Sequence, residues 1–299
     1  MRSSGAVALV LASVLWGTTG TAASFLPDDV SPLATGSATM AIGGALLFAV
    51  SGHRALAVLR ESSARRWLLL GAVGVFVYPL AFYSGMNLAG VAVGNVVALG
   101  SGPIFAALLE WAFERHRPSA LWSACTAVAL VGIVLLALGG HGAGGDADAA
   151  APVGVLLALL AGLAYAAYTY AGGRVIALGH ASTPTMGAMF GLGAVPLAVV
   201  LVLTGAPLLQ SNLTIGVTAY LALGPMLFAY VLFGVGLRAV RSTTVTTITL
   251  LEPVVATALA VLVVGERLDL VGWAGLALIL LGVVVLATAR RPVGEPARS

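Results

Sequence analysis

Charged residues in this chain are gathered into short clusters, and the clusters leave ten apolar stretches of about 20 residues each. In hydrocarbon a backbone must satisfy its own N–H and C=O groups, so a stretch of that length crosses a core of roughly 30 Å as a helix. The expected spans are 5–25, 32–51, 67–86, 91–113 and 120–138, then 153–174, 184–204, 213–237, 243–264 and 271–289. Composition agrees: 60% of residues are apolar, only 8% are charged, and mean hydropathy is +1.06. A soluble domain carries about 25% charged residues. The expected class is an all-α integral membrane protein.

The second five spans repeat the first at an offset of about 150 residues. Pro103 falls on Pro253, Ala106 on Ala256, Leu109 on Leu259 and Gly132 on Gly282. Upstream the offset shifts by one, and Gly5, Ala12 and Trp16 meet Gly154, Ala161 and Tyr165. An odd number of spans per copy inverts the second copy in the bilayer. Inverted repeats of this kind build two mirror-related access states around a central site in many secondary transporters. The expected organisation is a first five-helix repeat over 1–139, an outer linker over 140–151, a second five-helix repeat over 152–290 and a cytoplasmic tail over 291–299. The linker assignment rests on the Gly/Ala/Asp-rich composition around 139–151.

All 14 cations of the chain are arginines. With the N-terminus inside, Arg267 is the one arginine on the outer side, and the others fall on inner connections and tails. This positive-inside bias predicts cytoplasmic N- and C-termini. The formal net charge of +3 therefore reports topology, and no basic stretch is interleaved with base-stacking aromatics, so no nucleic-acid partner is expected. The first segment also has the basic start, apolar stretch and small-residue patch of a signal peptide. Trp16 interrupts that apolar run, and the segment is needed as the partner of the sixth span. Cys125, the single cysteine, reads as a small packing residue.

An ionisable residue at membrane depth is costly and marks a candidate site. Glu252 lies about ten residues into the ninth span, near the midplane, and Pro253 follows it. Two roles fit: a carboxylate that takes a substrate amine or carries a proton, or a protonated acid that ties helices together. Pro103 and Pro253 are expected helix kinks, because proline removes a backbone donor. The repeat mate of Glu252 is Gly102, so a charged site belongs to one repeat only. Glu110, near the inner end of the fourth span, is expected to snorkel to the interface or pair with Arg115 or Arg117, and Glu266 with Arg267 to form a solvated pair or a helix-end contact.

Mid-span aromatics supply the rest of the expected lining: Trp16, Tyr78, Tyr83, Tyr165, Tyr168 and Tyr230, with Asn95 on the face of the fourth span that carries Gly102. Each has a plainer reading as bundle packing, and Asn95 as a helix-to-helix tie. Gly187 and Gly191 form a GxxxG that lets helices approach closely.

The pattern as a whole resembles the EamA-type transporters of the drug/metabolite transporter superfamily. The markers are VLWGTTGTAA at 14–23 and LLEPVVATALAVLVVGERL at 250–268, followed by WAGLALILLGVVVL at 273–286. The resemblance implies two inverted five-helix repeats around a central cavity and movement of small metabolites such as amino acids across the bacterial inner membrane. It places the family's Glu-Pro on Glu252 and Pro253, and its Gly-Glu-Arg on Gly265, Glu266 and Arg267. Relatives often carry an arginine in the second span, where Thr39 stands here.

The expected function is therefore a secondary transporter, an exporter working by alternating access, with Glu252 as candidate proton carrier. Its partners are a small-molecule solute, the lipid bilayer and protons. The alternatives are a passive uniporter or channel-like facilitator and, further off, an intramembrane enzyme. No HExxH, paired intramembrane aspartates or nucleophile with a base supports the enzyme, and no nucleotide-binding loop is present. No cofactor or metal is expected, and nothing in the sequence sets the oligomeric state.

Overall fold

The computed structural model describes residues 2–115, 120–139, 146–239, 248–249 and 251–288. Arg117, Arg241, Arg290, Arg291, Arg298, Val245, the first part of the expected linker, the start of the ninth span and the tail lie outside these residues. Twelve α-helices are described and no strand: α1 Arg2–Gly17, α2 Thr19–Ala23, α3 Pro32–Arg60, α4 Ser62–Ala89, α5 Val91–Glu114, α6 Ala120–Gly139, α7 Asp146–Ala177, α8 Ser182–Thr204, α9 Asn212–Leu221, α10 Ala229–Ala239, α11 Leu251–Leu259 and α12 Leu270–Thr288. Seven helical stretches are long and apolar enough to cross a membrane, and three shorter apolar ones follow the same pattern. The protein is an all-α membrane protein.

Local chemistry sets several boundaries. Ser31 caps α3 by accepting from Ala34 N at 3.2 Å, with Pro32 in the first turn. Ser211 and Thr214 form a capping box at the start of α9. Gly90, at φ 91°, separates α4 from α5 with a backbone turn that a side chain would strain.

Three differences from the sequence reading concern continuity. The first span breaks at Thr18, between α1 and α2. The second runs on to Arg60 past Gly52, whose φ of 54° marks a kink. The expected linker is helical from Asp146: alanine is the strongest helix former, and an aspartate favours a helix N-terminus. The fourth span passes through Pro103 as one helix. Pro253 sits in the first turn of α11, which opens at Leu251. The wider winding lies elsewhere, in π-helical stretches at Ala222–Phe228 and Ala260–Val264.

Packing joins the two parts of the chain throughout. α3 lies on α8, α6 on α12, α4 on α7, α1 on α10, α5 on α7 and α1 on α11, and α5 meets α11. Gly74 makes the α4–α7 contact possible, since a Cβ there would stand 2.7 Å from the Ala164 carbonyl and 3.1 Å from Tyr168 Cβ. Gly17 does the same for α1 on α11, where a Cβ would stand 2.7 Å from Val255 Cβ and 3.0 Å from the Glu252 carbonyl oxygen. Gly187 and Gly191 face Ser51 and Phe48 of α3, as the GxxxG reading anticipates. Cys125 is buried and free.

Candidate functional site

The close approach of α4 to α7 and of α1 to α10 brings the mid-span aromatics together. Tyr78 lies 6.1 Å from Tyr165 and 5.9 Å from Tyr168, ring centre to ring centre, and Tyr165 lies 5.3 Å from Tyr168. Tyr168 meets Phe190 at 5.4 Å, Phe190 meets Tyr230 at 5.3 Å, and Tyr230 meets Trp16 at 5.4 Å. The Tyr168 and Tyr230 hydroxyls are 3.3 Å apart. Edge-on pairs of this kind contribute about 0.5–1.5 kcal/mol each beyond their buried area. Trp16 is fixed further by its indole N–H, which donates to the Pro225 carbonyl at 2.9 Å inside the π-helical stretch.

Glu252 borders this aromatic group. Its carboxylate interacts electrostatically with Tyr78, Tyr165 and Tyr230, and among the described residues no cation pairs with it. Trp16, Tyr78, Tyr165, Tyr230 and Glu252 are each half-buried, whereas Tyr168 is sealed. A lone carboxylate walled by aromatic faces and phenol hydroxyls suits a cationic or proton-bearing group. The expected residue Tyr83 points elsewhere: its hydroxyl meets Thr39 Oγ1 at 3.3 Å and its ring packs edge-on against Phe82. Phe190 joins the group from α8, although nothing in the sequence separates it from the bulk apolar residues of that span.

Asn95 is fully buried on α5, and neither amide atom meets a hydrogen-bonding partner among the described residues. One turn before it, Val91 packs on Gly20 of α2, and two turns after it Gly102 faces Tyr165. Asn95 thus occupies the stripe between α2 and the aromatic group. Thr21 and Thr257, on the adjoining α2 and α11, also have buried hydroxyls with no hydrogen-bonding partner among the described residues. Unsatisfied buried polar groups cost about 1–3 kcal/mol each and are kept for a reason. Asn95→Leu, nearly isosteric, is therefore expected to raise thermal stability by about 1–2 kcal/mol while lowering solute binding. Thermal unfolding and transport of the same purified variant check both halves of that expectation.

Glu266 has a role that its sequence position only hinted at. Its carboxylate accepts from the backbone N–H groups of Val91 and, at 2.8 Å, Ala92, so the loop after α11 caps the first turn of α5. Burial holds the Glu266 carboxyl above its ordinary value, and the two backbone bonds pull it the other way. This resolves the expectation for Glu266 in favour of a helix-end contact. At the other end of the bundle the carboxylate that pairs is Glu114, with Arg174 at 2.8 Å, while Glu110 is exposed. Two cavities flank the centre, one of about 490 Å3 beside Thr21 and Tyr220 and one of about 380 Å3 beside Trp67 and Arg174; neither touches Glu252.

The EamA-like transporter family matches residues 3–138 and again 152–288. The chain belongs to the EamA-like transporter family. It is 33% identical over 288 residues to the uncharacterized transporter YwfM of Bacillus subtilis (strain 168), covering 95% of this chain and 93% of that one. An uncharacterized transporter of Clostridium kluyveri is 26% identical over 173 residues, covering 56% of this chain and 54% of that protein. A crystal structure of a protein matches the fold with a TM-score of 0.64 at 24% identity, covering 96% of this chain and 97% of the other. As an EamA-like transporter, the protein is a multi-pass membrane protein whose partners are a small-molecule solute and the bilayer. Membership speaks for transport and against an enzyme.

Proposed function

We propose that this chain is a secondary transporter that exports small metabolites, amino acids among them, across the bacterial inner membrane. Ten spans form two inverted five-helix halves with both termini cytoplasmic, and alternating access works around a centre where Glu252 binds the solute or carries a proton. The observation that carries this reading is the lone Glu252 carboxylate against Tyr78, Tyr165 and Tyr230, drawn from α4, α7, α10 and α11. The helix pairing supports the inverted halves. Exchanging each span with its repeat mate turns α1 on α10 into α7 on α4, and α5 on α7 into α11 on α1, and both members of each pair occur.

Uptake into proteoliposomes, surveyed over amino acids and related metabolites with and without a pH gradient, tests the proposal. Solute accumulation that follows the imposed gradient supports coupled transport. Equilibration that ignores the gradient supports the facilitator, and no flux of any solute overturns both. Trp16→Ala is expected to weaken solute affinity roughly tenfold, the scale of losing one aromatic contact wall and its anchoring hydrogen bond. The concentration dependence of uptake reads that change, and an unaltered half-saturation concentration removes Trp16 from the lining.

A further inference from the structure

The cavity of about 380 Å3 between the start of α4 and the ends of α5 and α7 has a composition unlike the centre. The Trp67 ring carries two guanidinium groups, with Arg66 Cζ at 5.0 Å and Arg174 Cζ at 5.3 Å from its centre. Trp67 stands edge-on to Phe113 at 5.9 Å and to Tyr170 at 5.7 Å, and those two rings stack on each other. Glu114 accepts from Arg174 at 2.8 Å and from the Tyr170 hydroxyl at 3.0 Å. Glu110, one turn earlier on α5, lies close enough to act on Tyr170, and Arg66 is left as a cation with no carboxylate partner among the described residues at the mouth of an aromatic-walled cavity.

Location narrows the ligand. The cavity lies where the apolar spans give out, and Phe113 and Trp111 beside it are 56% and 48% exposed, as aromatics at a bilayer interface are. Basic pockets between membrane helices at headgroup depth recognise acidic lipids. Arginine suits this task, because its planar fork stacks on an aromatic face and still offers paired donors to a phosphate. We propose that this cavity binds the phosphate of an anionic phospholipid, with Arg66 as its primary donor, Arg174 as a second positive charge and the acyl chain leaving past Phe113. In the orientation proposed above this is the cytoplasmic leaflet. The site is separate from Glu252, so its failure leaves the transport proposal standing.

The test uses the purified full chain in neutral detergent, with its thermal midpoint followed during titration with short-chain phosphatidylglycerol, short-chain phosphatidylcholine or inorganic phosphate. Phosphatidylglycerol is expected to raise the midpoint saturably, and the other two are not. Arg66→Gln is expected to lower the apparent affinity for phosphatidylglycerol about tenfold, the scale of one hydrogen bond to a charged group. Arg66→Lys keeps the charge without the planar stack and is expected to fall between the two, which also guards against a misfolded Gln variant. Equal shifts from both lipids, an unchanged Arg66→Gln affinity, or a shift reproduced by inorganic phosphate alone would each overturn the proposal.

Discussion

Glu252→Gln is expected to abolish transport, or to uncouple it from the pH gradient, while the protein still reaches the membrane folded. Glutamine keeps the size and much of the hydrogen-bonding capacity of the side chain, so helix packing around Gly17 and Val255 survives. What it removes is the charge and the exchangeable proton. If the carboxylate binds a solute cation, the lost contact is worth about 1.5–3 kcal/mol, or roughly ten- to a hundredfold in affinity. If it carries the proton, accumulation against a gradient disappears altogether while downhill exchange persists. Proteoliposomes loaded at matched and unmatched pH separate these outcomes. A variant that accumulates solute like the parent chain across mildly acid and mildly alkaline conditions leaves Glu252 as helix glue only.

Glu266→Ala is the substitution expected to cost the most stability. It strips the acceptor from two N–H groups in the first turn of α5, where no intrahelical partner exists, and it unties the end of the ninth span from the start of the fourth. The expected loss is about 2 kcal/mol, within the range for hydrogen bonds to a charged group. Glu266→Gln retains one good acceptor and is expected to lose less. The pH dependence has a definite sign. Because the folded-state value is raised, Glu266 favours the folded state most when protonated, and that contribution is lost as pH rises through the folded value. Relative to Glu266→Gln, the parent chain is therefore expected to lose stability on going from acid pH to just above the ordinary carboxylate range. Thermal unfolding of both proteins over that interval decides it, and parallel curves refute the assignment.

The all-α membrane class was legible in the sequence because bilayer thickness imposes a length, and apolar runs report it directly. The aromatic lining was half legible. Mid-span position marked Trp16, Tyr78, Tyr165, Tyr168 and Tyr230, which the structure joins through ring contacts, but it marked Tyr83 equally, and Tyr83 turns towards Thr39. Depth can be read along one helix, whereas rotation about its axis is decided by neighbours. Phe190 was missed for the same reason. The partner of Glu266 lies about 175 residues away in sequence and is a backbone donor, which no residue type can advertise. Gly-rich composition concealed the start of α7, because the Ala and Asp residues after 145 are good helix starters once a membrane segment follows. π-helical winding changes a hydrogen-bond register and leaves no trace in hydropathy.

The π-helical stretches also bear on energetics. They fall between α9 and α10 and directly after α11, whereas α4 and α5, the expected repeat mates of those segments, wind as α-helix throughout. A carrier whose halves were interchangeable would hold its inward-open and outward-open forms at equal free energy. Under the alternating access proposed above, identical halves would exchange these windings between the two forms. Unequal residues such as Gly102 against Glu252 remove the degeneracy, and a gap of only a few kcal/mol confines the minor form to about 0.1–10% of molecules. On that proposal the unloaded transporter would wait mostly on one side of the membrane, and the solute would supply the difference through tighter binding to the rarer form.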